Sequence, residues 1–133
     1  MIAGFTGTQI GMTDKQKETF KKLIEKCDEL HHGDCVGADS DAHNIAKELG
    51  KRVHIHPPIN SSKRAFNDGD ILNNPKEYLD RNHDIVDSSD FLIATPKGMN
   101  EELRSGTWAT IRYARKRNKK VVIIYPNGRM SSK

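Results

Sequence analysis

Apolar residues along this chain fall alternately into short runs and helical stripes. Ile2-Ala3-Gly4-Phe5-Thr6 reads as a first strand, followed by the Gly-containing turn Gly7-Thr8-Gln9-Ile10-Gly11. Phe20, Leu23, Ile24 and Cys27 recur at i, i+3, i+4 and i+7, and Thr13 with Gln16 three residues on is a capping-box pattern, so a helix is expected over 14–27. Residues 29–32 predict a second strand. Ala42, Ile45, Ala46 and Leu49 predict a second helix stopped by Gly50, and the alternating 52–56 a third strand closed by Pro57-Pro58. Residues 59–74 show little periodicity and many Asn, Ser, Asp and Gly, which reads as a long loop. Asn74-Pro75 is then expected to open a helix with Pro at its first position, with Tyr78, Asn82, Ile85 and Val86 sharing a face.

Phe91-Leu92-Ile93-Ala94 lies between Ser88-Ser89-Asp90 and Thr95-Pro96-Lys97-Gly98, the length and bounds of a central parallel strand covered on both faces. A polar loop follows. The last helix is expected to start at Arg104-Ser105-Gly106-Thr107, with Trp108, Ile111 and Ala114 as its apolar contacts. Val121-Val122-Ile123-Ile124-Tyr125 reads as a fifth strand, Asn127-Gly128 as a turn, and 129–133 as a flexible tail. Five strands alternating with helices predict an α/β fold, a single doubly wound Rossmann-like domain over 1–133 with a mainly parallel five-stranded sheet.

Composition narrows the class. The chain has 133 residues, 35% hydrophobic and 30% charged, enough for one polar, core-forming domain. No apolar run approaches the ~20 residues of a membrane span, and Met1-Ile2-Ala3-Gly4-Phe5 lacks a signal-peptide layout, so a cytoplasmic protein with no membrane partner is expected. The net charge is +4, concentrated in Arg112, Arg115, Lys116, Arg117, Lys119 and Lys120. The end of a solvated helix accounts for that run better than a nucleic-acid patch does. Cys27 and Cys35 have no metal-ligand spacing, and a cytosolic disulfide is not expected.

Ligands of open α/β sheets bind beyond the strand carboxyl ends, and a helix N-terminus there suits phosphate. Three segments end at that edge. Thr6, Gly7 and Thr8 follow the first strand, and Gly33, Asp34, Gly37, Ala38 and Asp39 follow the second. Pro96, Arg104, Ser105, Gly106 and Thr107 follow the central strand. Arg81 and Asn82 sit in the helix before that strand and are expected to face it. GFTGTQIG has neither the GxGxxG nor the GxxxxGK[ST] spacing, so no dinucleotide or other cofactor is expected. Asp34, Asp39 and His43 offer acid, base or metal chemistry, but helix capping by Asp39 or Ser40 is the preferred reading. His54 and His56 share a strand face as half a metal site with no third ligand at a clear spacing, so no metal is expected.

These motifs in this order resemble the SLOG superfamily, the Rossmann-like group of cytokinin-activating "lonely guy" phosphoribohydrolases, molybdenum-cofactor carriers and the DNA-processing protein DprA. The likeness rests on the Gly7-Thr8 turn, HGDCVGADSDAH after strand two, Arg81-Asn82, SDFLIATP and SGTW, and is nearest to small stand-alone bacterial or phage members. The resemblance implies a phosphate-facing site with Arg81 as the catalytic-type arginine. It also admits a homodimer paired through helices. Of the lonely-guy pattern PGGxGTxxE, Gly106-Thr107 is kept. Its Pro-Gly-Gly falls on Glu102, Leu103 and Arg104, and its acid falls on Thr110. Glu101, Glu102 or Asp34 would have to substitute for that acid.

The first expectation is therefore a binder of a nucleotide or nucleotide-derived signalling ligand, sensing or sequestering it, with Trp108 or Tyr78 available to stack on a base. The second is hydrolysis of an N-glycosidic bond in a nucleotide. The third is DprA-like binding of single-stranded DNA, which the 6% aromatic content and its separation from the basic run place last.

Overall fold

Phe91 to Thr95 are buried at every position, which places them mid-sheet, and the remaining strands are arranged around them. The computed structural model describes residues 1–132. One mixed sheet contains β1 (Ile2–Gly7), β2 (Glu29–His32), β3 (Arg52–Ile55), β4 (Ile71–Leu72), β5 (Phe91–Thr95), β6 (Lys120–Ile124) and β7 (Met130–Ser131). Their order is β4-β3-β2-β1-β5-β6-β7, parallel except for the last pair. The chain runs outward from β1 through β4, then crosses back to β5 and runs outward the other way. The reversal therefore lies between β1 and β5, the crevice where ligands of such sheets bind.

Alternation along the strands sends side chains to two cores. Phe91 and Ile93 join Phe5, Leu30 and Val122 beneath α1 (Asp14–Ile24) and α2 (Ala38–Glu48). Leu92 and Ala94 join Val121 and Ile123 beneath α3 (Tyr78–Asp87) and α4 (Gly106–Lys116), against Val86, Trp108, Ile111 and Ala114. The domain is doubly wound, as the strand and helix patterns predict. Among the described residues no helix is long and apolar enough to cross a membrane.

Among the described residues the sheet has seven strands where five were expected. Both additions are two-residue edge strands, too short to show a periodicity of their own. β4 forms inside the long loop because Asp70 accepts from the amide of Val53 at 2.7 Å and pairs with Lys47, which lays the next residues along β3. β7 arises within the expected flexible tail, where the turn at Asn127-Gly128 folds Met130 and Ser131 back on β6. The expected helix start at Pro75 also moves. Lys76 is held extended by backbone bonds with Pro57 and Ile59, so α3 begins only at Tyr78, after Glu77.

The capping box at Thr13 and Gln16 forms as expected, although α1 ends at Ile24 rather than 27. Gln16 does more than cap. It is 1% exposed, and its amide donates to the carbonyls of Pro96 at 3.0 Å and Ile124 at 2.9 Å. This ties the start of α1 to the carboxyl ends of β5 and β6.

Candidate functional site

A pocket of about 460 Å³ opens over the carboxyl ends of β1 and β5, at the strand-order reversal. Its walls come from the turn after β1, the turn after β2, one side of α3 and the start of α4. Of the residues that the sequence places at the site, Thr6, Gly7, Thr8, Gly33, Asp39, Arg81, Asn82, Arg104, Ser105, Gly106 and Thr107 line it. Asp34, Gly37, Ala38 and Pro96 do not, and each has another task.

Asp34 is fully buried at the left-handed φ of 59°, which aspartate tolerates better than most residues. Its carboxylate accepts from Arg64 Nε at 2.8 Å and from the backbone and side-chain amides of Asn67 at 2.9 and 3.0 Å. It thereby anchors the segment around 63–67 rather than facing the pocket. Gly37 and Ala38 brace the turn after β1. The Ala38 amide donates to Thr8 O at 2.9 Å, and Gly37 sits at φ 90° where a Cβ would meet Gln9 O at 2.2 Å. The Pro96 carbonyl is occupied by Gln16.

Arg81 projects from α3 towards the ends of β2 and β3, and is only 2% exposed. Its Nη1 donates to the carbonyls of Gly33 and His56, and its Nε to Asn82 Oδ1 at 2.7 Å. Its Nη2 lies 3.7 Å from Cys35 Sγ, and the guanidinium stands 4.5 Å from the centroid of the Tyr78 ring. Glycine is required at 33 by this arrangement, since a Cβ there would come within 2.1 Å of Nη1. Most of the five guanidinium N–H groups are thus committed to the protein, and Arg81 presents a fixed positive charge in the pocket wall.

Asp39 stands near Arg81 and accepts from the Cys35 amide at 3.1 Å. Burial nonetheless pushes its carboxyl up to about 6, against the opposing pull of Arg81. Burial also raises the Cys35 thiol, and it pushes the Tyr78 hydroxyl up to about 12. The Cys35 thiol and Tyr78 hydroxyl, 3.3 Å apart, are therefore neutral near pH 7, and Cys35 is no ready nucleophile.

The opposite wall is built differently. Ser105 caps α4 by accepting from the Trp108 amide at 3.3 Å, and the amides of Gly106 and Thr107 belong to the first helical turn, where no intrahelical acceptor exists. Exposed Arg104 and Lys97 stand at this rim, with Lys97 3.6 Å from Glu102. Trp108 is 3% exposed and belongs to the core, so of the two aromatics expected to stack on a base only Tyr78 lines the pocket.

Thr110, in the place of the lonely-guy acid, is 2% exposed and donates to Gly106 O at 3.0 Å. Of the three candidate substitutes, Glu101 pairs with Arg112 at 2.7 Å and Asp34 is locked to Arg64. Glu102 alone of the three lines the pocket. The sequence reading missed Phe5, Gln9, Ile10, Cys35, Ile85 and Lys97 as pocket residues. The exposed Ile10, in a turn where apolar residues are unusual, was the one available signal.

The basic run is divided among local contacts. Arg112 pairs with Glu101, Arg117 with Asp87, and Lys119 donates to Ser89 O.

No protein-family model matches the chain, and no curated protein matches it by sequence. Solved structures do. The molybdenum cofactor binding protein of the phototrophic bacterium Rippkaea orientalis superposes with a TM-score of 0.72 at 24% identity, over 93% of this chain and 76% of that one. The Moco carrier protein of Chlamydomonas reinhardtii gives 0.68 at 25% identity, over 92% and 74%. DprA of Streptococcus pneumoniae gives 0.64 at 14% identity, over 91% of this chain and 49% of its own. With the strand order and the switch-point pocket, these likenesses show that the chain adopts the SLOG-type Rossmann-like fold.

Proposed function

We propose that the protein binds a phosphate-bearing, nucleotide-type small molecule in the switch-point pocket, sensing or sequestering it. The observation that carries this reading is the start of α4. There Arg104 and the first-turn residues Gly106 and Thr107 line one wall of a pocket at the strand carboxyl ends. A helix N-terminus supplies N–H donors and a positive dipole end, and an arginine adds charge-assisted bonds to phosphate. Tyr78 supplies a ring against which a base can stack. Two of the solved relatives are named for the molybdenum cofactor, which agrees with a small-molecule ligand and adds that cofactor to the compounds worth testing. A homodimer paired through helices belongs to the same reading, and light scattering would report it.

Native mass spectrometry of the purified protein, followed by calorimetry with nucleoside phosphates, cyclic nucleotides, ADP-ribose and the molybdenum cofactor, tests the proposal. The expected result is one phosphorylated compound bound per chain, weakened in Arg104→Ala. Binding that ignores the phosphate, or that Arg104→Ala leaves intact, would overturn it.

N-glycosidic hydrolysis is the second reading, because two carboxyl groups, Glu102 and Asp39, share the pocket with Arg81. It requires release of free base and ribose phosphate, abolished in Glu102→Gln or Asp39→Asn. A nucleotide recovered unchanged after long incubation excludes it.

A further inference from the structure

Away from the pocket lining, β2 and β3 bring together residues far apart in the chain. Glu29 and His31 share one face of β2 because side chains alternate, and parallel pairing sets His31 beside His54 of β3. Glu29 Oε1 lies 2.7 Å from His54 Nε2 and 3.8 Å from His31 Nε2, and the three ligand atoms all lie within 4.8 Å of one another. The two imidazoles stack with centroids 4.2 Å apart and planes 11° apart, so the His54 ring has to turn out of the stack for both Nε2 lone pairs to meet at one ion. Both Nε2 atoms are buried, yet among the described residues neither has a hydrogen-bond partner of good geometry, despite the nearness of Glu29. His31 is only 5% exposed, so its free nitrogen is not left to water. Buried nitrogens without partners are uncommon and ask for an explanation.

The surroundings suit a cation. His31 Nδ1 lies 2.8 Å from His56 Nε2. When Nδ1 carries the proton and donates it to His56, the lone pair of His31 Nε2 is free for a metal, the orientation that outer-shell partners enforce at metal sites. The side chains of Glu29 and His54 keep 28% and 17% exposure, which provides a way in. Two imidazole nitrogens and one carboxylate oxygen suit zinc-class ions, whereas calcium and magnesium favour all-oxygen sites.

We propose that Glu29, His31 and His54 bind one divalent cation of the zinc class, with the remaining coordination position left to solvent. None of the three lines the pocket. The cation would cross-link β2 to β3, and His56 connects the site to the pocket wall, since its carbonyl accepts from Arg81 Nη1 at 3.1 Å.

The test is calorimetric titration of chelator-stripped protein with zinc, paired with the visible spectrum of the cobalt-loaded protein. Wild type is expected to bind one ion per chain and to give the intense ligand-field bands of a low-coordinate site. Glu29→Gln and His54→Gln should each abolish both signals. His56→Gln should weaken binding about 10–100-fold, as loss of an outer-shell partner does. His43→Gln alters the separate His32–His43 pair and should bind as wild type. Thermal unfolding in chelator establishes that each variant is folded. Should His54→Gln fail to fold, the partly exposed Glu29→Gln decides. The proposal is overturned if stripped wild type binds no ion, if Glu29→Gln binds as tightly as wild type, or if His43→Gln is the variant that loses the ion.

Discussion

The turn between β2 and α2 and the loop between β5 and α4 form opposite sides of one pocket, and they use their polar residues in contrasting ways. In the first, the charges are answered from inside. Asp34 holds Arg64 and Asn67, Arg81 holds the Gly33 carbonyl, and the Asp39 carboxylate takes the Cys35 amide. In the second, Arg104 and Lys97 stand exposed at the rim, and the first turn of α4 lines the pocket. A motif dense in Gly and Asp therefore serves here chiefly as scaffold, while the loop after β5 keeps its cations at the pocket rim. The physical reason is burial. A charge out of water must be paired, whereas a charge at the rim keeps its solvation until a ligand arrives.

Substitutions on the two sides should accordingly separate stability from binding. The largest effect is expected for Asp34→Ala, which leaves Arg64 without its carboxylate and Asn67 without its acceptor. Breaking a buried pair costs about 3–5 kcal/mol, and the 16% exposure of the Arg64 side chain places this one near about 3 kcal/mol. Urea unfolding should show that loss, with ligand affinity little changed wherever the variant is still folded.

Next comes Arg104→Ala. It should weaken a phosphate ligand about tenfold, roughly 1.4 kcal/mol, while the unfolding midpoint moves by less than about 0.5 kcal/mol. Added salt should shrink the difference from wild type. An Asp34→Ala protein that folds normally but no longer binds ligand would reverse the assignment of the two sides.

The smallest effect concerns Asp39, the one carboxylate of the buried turn that also lines the pocket. It is faced by Arg81 from α3, and by Asp34 and the amides of Cys35 and Gly33 within its own turn. Its folded value of about 6 lies above the ordinary 3.8, so the folded chain holds a proton that the unfolded chain releases. Stability is therefore highest at the acid end of that window and falls as pH rises through it. Binding of an anionic ligand should weaken severalfold over the same rise, and Asp39→Asn should remove that step. A phosphate ligand gains charge near pH ~6 itself, so the informative quantity is the difference between variant and wild type. Parallel pH profiles for the two proteins would show that Asp39 does not face the ligand.

Much of the architecture was legible in local pattern. The five longer strands, the capping box at Thr13 and Gln16, and the helix start at Ser105 all depend on residues adjacent or one turn apart, where periodicity and side-chain chemistry act directly. The edge of the sheet that carries the pocket was also readable, because strand ends followed by Gly-rich or capping turns mark it without knowledge of strand order. β4 and β7 were not, since two-residue strands are defined by the neighbour they lie against rather than by their own residues.

The same limit applied within the site. That Asp34 turns inward depends on Arg64 arriving from 30 residues away, and that Arg81 holds Gly33 depends on α3 crossing the ends of β2 and β3. His54 was paired by spacing with His56, yet parallel register placed it against His31 and Glu29. Sequence by itself determined the elements, the class of fold and the residue types offered at the strand ends, because those follow from short-range periodicity and turn chemistry. Tertiary structure alone decided which of those polar groups are spent on one another and which line the pocket, because pairing across the sheet is set by strand order and register, which no local stretch of the chain contains.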